Sequence, residues 1–145
     1  MPDRAISVTK VVDAPRQAVF DLLADPAQHP RIDGSGTVRA ARGGNPERLS
    51  LGAKFGMDMK LGLPYRIRNT VVEFEDGTLI AWRHFFGHRW RWSLKDAGEG
   101  RTEVTETFDW STALVPKGIE LLGFPGKNKQ GIRATLDRLD GLLRT

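Results

Sequence analysis

The sequence predicts an α+β fold: a strongly curved antiparallel sheet of seven strands, wrapped around a long C-terminal helix, with two short helices between strands 1 and 2. Three observations carry this expectation. Apolar and polar residues alternate through 5–12 and through most of 54–108, which is the period of a half-buried strand. Turn signals punctuate the second stretch at hairpin spacing: Gly62-Leu63-Pro64, Asp76-Gly77, Phe85-Phe86-Gly87 and Ala97-Gly98-Glu99. After Pro125-Gly126 the period lengthens, and Ile132, Leu136, Leu139, Leu142 and Leu143 recur at three- and four-residue spacing between Arg133, Asp137, Arg138 and Arg144, as on an amphipathic helix.

In chain order, Ala5-Ile6-Ser7-Val8-Thr9-Lys10-Val11-Val12 reads as the first strand, ending at Asp13-Ala14-Pro15. Pro15 suits the first turn of a helix, where its missing N–H does no harm, and Val19, Leu22 and Leu23 give that helix a buried stripe. Asp25 precedes Pro26, which disfavours helical geometry and closes the helix. A second short helix over about 27–32 and a second strand over about 37–42 follow. The stretch 43–52, opening Gly43-Gly44-Asn45-Pro46, is a loop between strands rather than a domain boundary. One domain spans 1–145.

Side chains alternate between strand faces, so register decides which residues meet. Asp76-Gly77, a favoured two-residue turn, sets Phe74 opposite Leu79, Val71 opposite Trp82 and Asn69 opposite His84. A three-residue loop at 62–64 sets Met59 against Ile67, Met57 against Asn69 and Phe55 against Val71. The turn at 85–87 sets His84 against His88 and Trp82 against Trp90. The turn at 97–99 sets Trp92 against Val104, Trp90 against Glu106 and His88 against Phe108. All four place Phe55, Met57, Met59, Ile67, Val71, Ile80, Trp82, Trp90, Trp92, Leu94, Val104 and Phe108 on one face. The other face carries Lys54, Asp58, Lys60, Arg66, Arg68, Arg83, Arg89 and Arg91, with threonines, and is solvated. One leucine-rich helix does not fill the inner face of such a sheet, and the remainder describes a ligand pocket. Its expected lining is Phe55, Met57, Met59, Ile67, Val71, Trp82, Trp90 and Phe108 from the sheet, Leu122 and Phe124 from the segment before the last helix, and Ile132 and Leu136 from that helix.

The chain has 145 residues, no cysteine and a net charge of +4. That length suits one domain, and the absence of cysteine excludes disulfides, a thiol nucleophile and thiolate zinc. No run is apolar enough to insert stably into a membrane, and the N-terminus lacks a signal-peptide core, so a cytoplasmic protein is expected. Arg89-Trp90-Arg91-Trp92 interleaves cations and aromatics, but alternation sends them to opposite faces, and no nucleic-acid partner is expected.

The run Val11-Val12-Asp13-Ala14-Pro15-x-x-x-Val19-Phe20-x-Leu22-Leu23-x-Asp25-Pro26, the later Val71-Val72-Glu73-Phe74-Glu75-Asp76-Gly77-Thr78-Leu79-Ile80-Ala81-Trp82, and the terminal helix resemble the SRPBCC superfamily. These are START-like, helix-grip proteins that include the polyketide cyclase/dehydrase group. The resemblance covers nearly the whole chain. It implies a deep cavity for a hydrophobic ligand in a family that ranges from lipid carriers to cyclases, and fold alone does not choose between them.

Glu106 stands out among the polar residues of the inner face. A carboxylate against an indole in a closed cavity has a raised pKa, which suits acid–base work; the structural alternative is a wet site or an arginine partner. Asn69 and His84 are adjacent across their hairpin and fit either a group orienting a ligand carbonyl or hydroxyl, with His84 moving a proton, or a mutually satisfied buried pair. Glu73 shares their parity but is expected at the rim. His84 facing His88 lacks a third ligand, so no metal is expected, and His29 beside Pro30 is expected to be exposed. No Gly-x-Ser-x-Gly elbow, Walker loop or dinucleotide fingerprint is present. The expected function is binding of a small hydrophobic molecule (lipid-, aromatic- or polyketide-like) by a monomer or weak homodimer. The alternative is a cofactor-independent cyclase, dehydratase or isomerase using Glu106 or His84 as acid–base and Asn69 as the orienting group. Residues 114–126, with Pro116, Gly118, Gly123, Pro125 and Gly126 around Ile119, Leu121, Leu122 and Phe124, form either a lid, with the Gly34–Gly36 loop and the Leu63-Pro64 turn, or a static plug.

Overall fold

The computed structural model describes residues 4–143. Strand β1 (Ala5–Val12) leads into α1 (Arg16–Leu23), a single 3-10 turn (Pro26–Gln28) and α2 (His29–Ile32). Six further strands follow: β2 (Val38–Ala41), β3 (Lys54–Leu61), β4 (Leu63–Glu75), β5 (Leu79–His84), β6 (Arg89–Gly98) and β7 (Arg101–Asp109). A short α3 (Pro116–Leu121) precedes α4 (Phe124–Leu143). The α4 helix starts before the Pro125-Gly126 pair that was expected to precede it, because a proline in the first turn has no hydrogen bond to lose.

The seven strands form one antiparallel sheet in the order β1-β7-β6-β5-β4-β3-β2. Chain reversals supply every pairing except β1 with β7, which runs from Ala5 opposite Asp109 to Val12 opposite Thr102. On the outer face, the hydroxyls of Ser7 and Thr107 meet at 2.7 Å and those of Thr9 and Thr105 at 2.8 Å. The apolar inner face is buried against α1 and α4, and Phe20, Phe55, Phe108, Ile80, Leu136 and Leu139 are almost wholly removed from water. Burial of each such side chain stabilises the fold by about 1.5–3 kcal/mol.

Parity agrees with expectation except at Glu73 and Phe74, and three of the four registers differ in detail. Around the β3–β4 turn, Met57 faces Ile67, Phe55 faces Asn69 and Met59 faces Tyr65. This pairing is shifted by two residues, since the chain reverses tightly at Gly62 (φ 76°) and β4 begins at Leu63. Around the β6–β7 turn the shift is again two: Trp92 faces Glu106, Trp90 faces Phe108 and Leu94 faces Val104. A two-residue shift leaves every side chain on its face. The β5–β6 register is as expected, with Trp82 opposite Trp90, and His84 N–H donates to His88 O at 2.8 Å.

Between β4 and β5, Asn69 faces His84 and Val71 faces Trp82 as expected, but a bulge between Val71 and Glu73 then pairs Phe74 with Ile80 instead of Leu79. The extra residue inverts parity. Phe74 turns inward to meet Phe20 edge-on at 5.6 Å. Glu73 turns outward, away from the rim position expected for it, and receives Arg91 at 2.7 Å and Arg89 at 3.3 Å.

The loop between α2 and β2 is clamped onto α4. Gly34 N–H donates to Thr135 Oγ1 at 2.9 Å, and Arg138 Nη1 donates to Asp33 O at 2.8 Å. The α3 segment lies at the β5–β6 turn, where Leu114 N–H donates to Phe86 O at 2.8 Å. Ile119 of α3 packs against the core, whereas Leu114, Val115, Leu121 and Leu122 are exposed.

Candidate functional site

Strand alternation and burial bring a small set of polar groups onto the inner face. Glu106 points inward between Val104 and Phe108 on β7 and is 6 % exposed. Its neighbour is the indole of Trp92 on β6, not that of Trp90. Neither Glu106 Oε1 nor Trp92 Nε1 has a hydrogen-bond partner among the described residues. Burial pushes the Glu106 carboxyl well above the usual carboxylate range, and the nearby negative charge of Asp33 adds to the effect. The clamp on α4 holds the Asp33 loop at this place.

Closer to the β5–β6 turn lies a second polar row. Asn69 is 4 % exposed and its Oδ1 has no partner among the described residues. Beside it, His84 stacks on His88 with ring centres 4.3 Å apart, and His88 meets Phe108 edge-on at 5.4 Å. His84 Nδ1 accepts from Phe86 N–H at 3.1 Å, so that nitrogen carries no proton. Burial, followed by the adjacent His88, lowers the His84 pKa to about 3. Burial lowers that of His88 to about 4, and its Nδ1 is buried without a partner among the described residues. Both rings are therefore neutral at pH 7, and a base as weak as His84 takes up little proton there. Among the described residues no cluster of three His, Cys, Asp or Glu is placed to hold a metal ion.

These histidines predict an acid limb in stability. In the unfolded chain a histidine takes up a proton near pH 6.5, whereas here uptake waits until about 4 or below. Their contribution is present above roughly pH 6.5 and is lost as pH falls toward the folded values. His88→Phe is expected to reduce the slope of stability against pH, between about 4 and 6.5, by about one proton. Urea melts across that range measure it, and an unchanged slope would mean that His88 is not held neutral.

Between the two polar rows lie aromatic walls. Trp90 and Phe108 are 4.8 Å apart and Phe55 meets Trp82 edge-on at 5.4 Å. His29, expected at the surface, is buried instead: the start of α2 turns its ring under the sheet, where it stacks on Trp82 at 4.9 Å. Its Nε2–H donates to Leu23 O at 2.8 Å, and burial lowers its pKa.

Of the expected lining, Phe55, Met57, Val71, Trp82, Phe108, Ile132 and Leu136 are buried in the core, with Met59, Ile67 and Trp90 partly buried against it. Phe124 is half-buried at the start of α4. Leu122 differs: it caps α3 on the surface and is 65 % exposed, since the short helix commits Ile119 to the core. Two open clefts lie toward the β2–β3 side. One, of about 450 Å³, runs between Arg42–Asn45, Lys54–Gly56 and Arg66–Arg68. The other, of about 580 Å³, lies between Asp25–Ala27 and Ala41–Arg48.

A curled seven-stranded antiparallel sheet closed on a long C-terminal helix, with short helices after its first strand, is the helix-grip fold of the SRPBCC superfamily. Within it, the chain belongs to the polyketide cyclase/dehydrase and lipid transport family, whose sequence pattern it matches over residues 3–144. The uncharacterized protein Rv0088 of Mycobacterium tuberculosis is 43% identical over 142 residues, covering 92% of this chain and 62% of that protein. The chain thus spans less than two thirds of that relative. Among solved structures, NE0264 from Nitrosomonas europaea superposes with a TM-score of 0.75 at 17% identity, covering 97% of this chain and 94% of that one. An AHSA1-like protein from Aeromonas hydrophila gives 0.68 at 20% identity, covering 94% and 89%. At such identities the likeness is one of fold. No helix among the described residues is long and apolar enough to cross a membrane.

Proposed function

We propose that the protein binds a small hydrophobic molecule (lipid-, aromatic- or polyketide-like) between the inner face of the sheet and α4. The observation that carries this reading is the set of polar atoms on an otherwise apolar face that have no partner among the described residues: Asn69 Oδ1, His88 Nδ1, Trp92 Nε1 and Glu106 Oε1. Buried polar groups in native proteins nearly always have partners, and leaving one bare costs about 1–3 kcal/mol. Four bare groups directed at the same interior are what a ligand with polar substituents supplies. Membership of a family that includes lipid transport supports the same reading.

A panel of neutral lipids, flavonoids and polycyclic ketones, screened by thermal shift, tests this. A ligand present at a hundredfold over its Kd stabilises by about 2.7 kcal/mol, which moves the midpoint of a chain of this size by roughly 5–10 °C. Hydrogen exchange with the best ligand is expected to show increased protection at 114–126, the segment proposed as the lid. A panel that leaves the midpoint unmoved, together with an unliganded mass in native spectra of protein from its own host, would remove the binding role. Equal protection at 114–126 in both states would make that segment a plug.

The second reading is a cofactor-independent enzyme of the cyclase, dehydratase or isomerase kind, favoured by the buried Glu106 carboxyl with its raised pKa. Glu106 suits the acid–base role better than His84, whose pKa near 3 leaves it a poor base at neutral pH, and Asn69 would orient the substrate carbonyl. Glu106→Gln should then cut turnover about a hundredfold or more with the substrate still bound, whereas in a carrier it alters affinity alone.

A further inference from the structure

The outer face of the sheet carries cations that the inner-face reading does not use. Phe55, Asn69, Val71 and Trp82 are buried on the inner face, so alternation sends Lys54, Gly56, Arg68, Thr70 and Arg83 outward. The open cleft of about 450 Å³ lies on this ground. Arg42, Lys54, Arg66 and Arg68 line it, and among the described residues no carboxylate does. Gly56 is its floor: a Cβ there would stand 3.0 Å from Arg42 Cδ, so the glycine lets the arginine stem cross the strand. Asn45 pins the facing loop, with Nδ2 donating to Gly56 O and Oδ1 accepting from Gly56 N–H, each at 2.9 Å. Asp58 accepts from Arg42 at 3.1 Å and lies 3.7 Å from Arg66. Lys54 and Arg68 have no ion pair among the described residues.

Arg83 extends the charge onto β5. Thr70 pairs with Lys54 on one side and with Arg83 on the other, about 5 Å to each in a sheet, and Arg68 is two residues from Thr70, about 7 Å. Arg83 also stands directly opposite Arg89, and like charges so placed destabilise a sheet. Glu73 relieves Arg89 and Arg91, whereas Arg83 has no ion pair among the described residues. Arg89 Nε, in the same cross-strand row, is buried without a partner among them. Three cations without counter-charge thus surround Thr70 beside a cleft, at a cost in stability that a bound anion would offset.

We infer that this outer cleft binds a phosphate ester: Lys54, Arg68 and Arg83 hold the phosphate beside Thr70, and Phe85 receives the apolar body. A phosphomonoester carries close to two negative charges at pH 7 and three acceptor oxygens, against one charge for a carboxylate, and the arginine fork matches its geometry. Phe85 lines the same cleft and is 54 % exposed, free to meet a ring or chain. A soluble ester and a lipid headgroup offer the same chemistry. The phosphate seat draws on none of the polar groups of the inner face, so either site can fail without the other.

Titrations of the full chain followed by NMR, in phosphate-free buffer at about 0.15 M salt, compare phenyl phosphate, inorganic phosphate and benzoate. Phenyl phosphate is expected to bind about threefold or more tighter than inorganic phosphate and about fivefold or more tighter than benzoate. Arg68→Gln and Arg83→Gln, both at exposed positions, should each weaken phenyl phosphate about fivefold. Phe85→Ala should remove its advantage over inorganic phosphate. Lys95→Gln takes the same charge from the same face, but Lys95 lies six residues along β6 from Arg89, roughly 20 Å and well beyond the screening length of about 8 Å. It should change affinity by less than about twofold. Co-sedimentation with phosphatidylcholine vesicles, with and without phosphatidic acid, identifies the source. Binding to the acidic vesicles that Arg68→Gln weakens and Lys95→Gln does not assigns the phosphate to a lipid headgroup; phenyl phosphate binding without vesicle binding assigns it to a soluble ester. Benzoate as tight as phenyl phosphate, equal losses from Arg68→Gln and Lys95→Gln, or no binding in either arm would overturn the phosphate site and leave the inner-face role standing.

Discussion

Gly34→Ala is expected to destabilise the protein by about 3 kcal/mol or more, the upper range for overpacking. A Cβ at this position would stand 2.5 Å from both Ala134 Cβ and Thr135 N and would also overlap the Ala134 carbonyl carbon. Two of those three atoms belong to the backbone of α4 and cannot rotate away. The α2–β2 loop and α4 touch main chain to main chain here, and the contact is fixed by Gly34 N–H on Thr135 Oγ1 and Arg138 on Asp33 O. Relief would require the loop to lift off the helix, breaking both bonds and opening the interior beside Asp33 and Glu106. Gly141→Ala provides the contrast. It lies in the same helix with no atom of the described residues within 4 Å of a Cβ, and alanine is about 1 kcal/mol better than glycine inside a helix. Opposite signs for the two substitutions in denaturant melts are the expected result. A Gly34→Ala protein within about 1 kcal/mol of the parent would mean that the loop is not clamped to α4.

The fold was legible because parity is a coarse signal repeated on many residues. Met57, Phe55, Trp90 and Trp92 all face inward, although two hairpins pair two residues away from the expected register. The alternation of apolar residues selects the face, while the turn selects the register, and turns rich in glycine such as Gly98-Glu99-Gly100 accept several lengths. Even Glu99 adopts a positive φ there. This is why alternation sends Glu106 inward as the structure does, while the turn names Trp90 and not Trp92 as its partner. The bulge at Val72 left no trace, since valine fits either face; only the outward ion pairs of Glu73 reveal it. His29 failed for another reason. A helix of four residues is too short for periodicity to say which way a side chain points, and the ring is drawn in by Leu23 O and Trp82. Trp92 was legible as an apolar wall. That its Nε1 lacks a partner among the described residues depends on neighbours from other elements, which no local pattern encodes.

Glu106→Gln is expected to stabilise the fold at neutral and alkaline pH, with a gain that vanishes in acid. The unfolded chain releases the Glu106 proton near pH 4.3, whereas the folded chain holds it to higher pH because the carboxyl is buried beside Asp33. Between these values the native state binds the extra proton, so stability falls as pH rises. The contribution of the neutral carboxyl is fully present below about 4.3 and is lost as pH climbs through the folded value. Glutamine has no proton to lose, so its advantage grows over the same interval. At pH 8 it is expected to reach about 1–3 kcal/mol, the cost of a buried polar group left without a partner, and roughly 5 °C in midpoint. The histidines act in the opposite sense, weakening the fold as pH falls from about 6.5 toward the folded values of His84 and His88. They are present in both proteins and cancel in the difference. Thermal melts of parent and variant at pH 4, 6 and 8 give that difference directly, and a value independent of pH would show that Glu106 is not held protonated by the fold. A carboxyl that weakens the protein wherever it is charged has no structural reason to occupy this position. The binding role proposed above, or the alternative acid–base role, would give it a functional one.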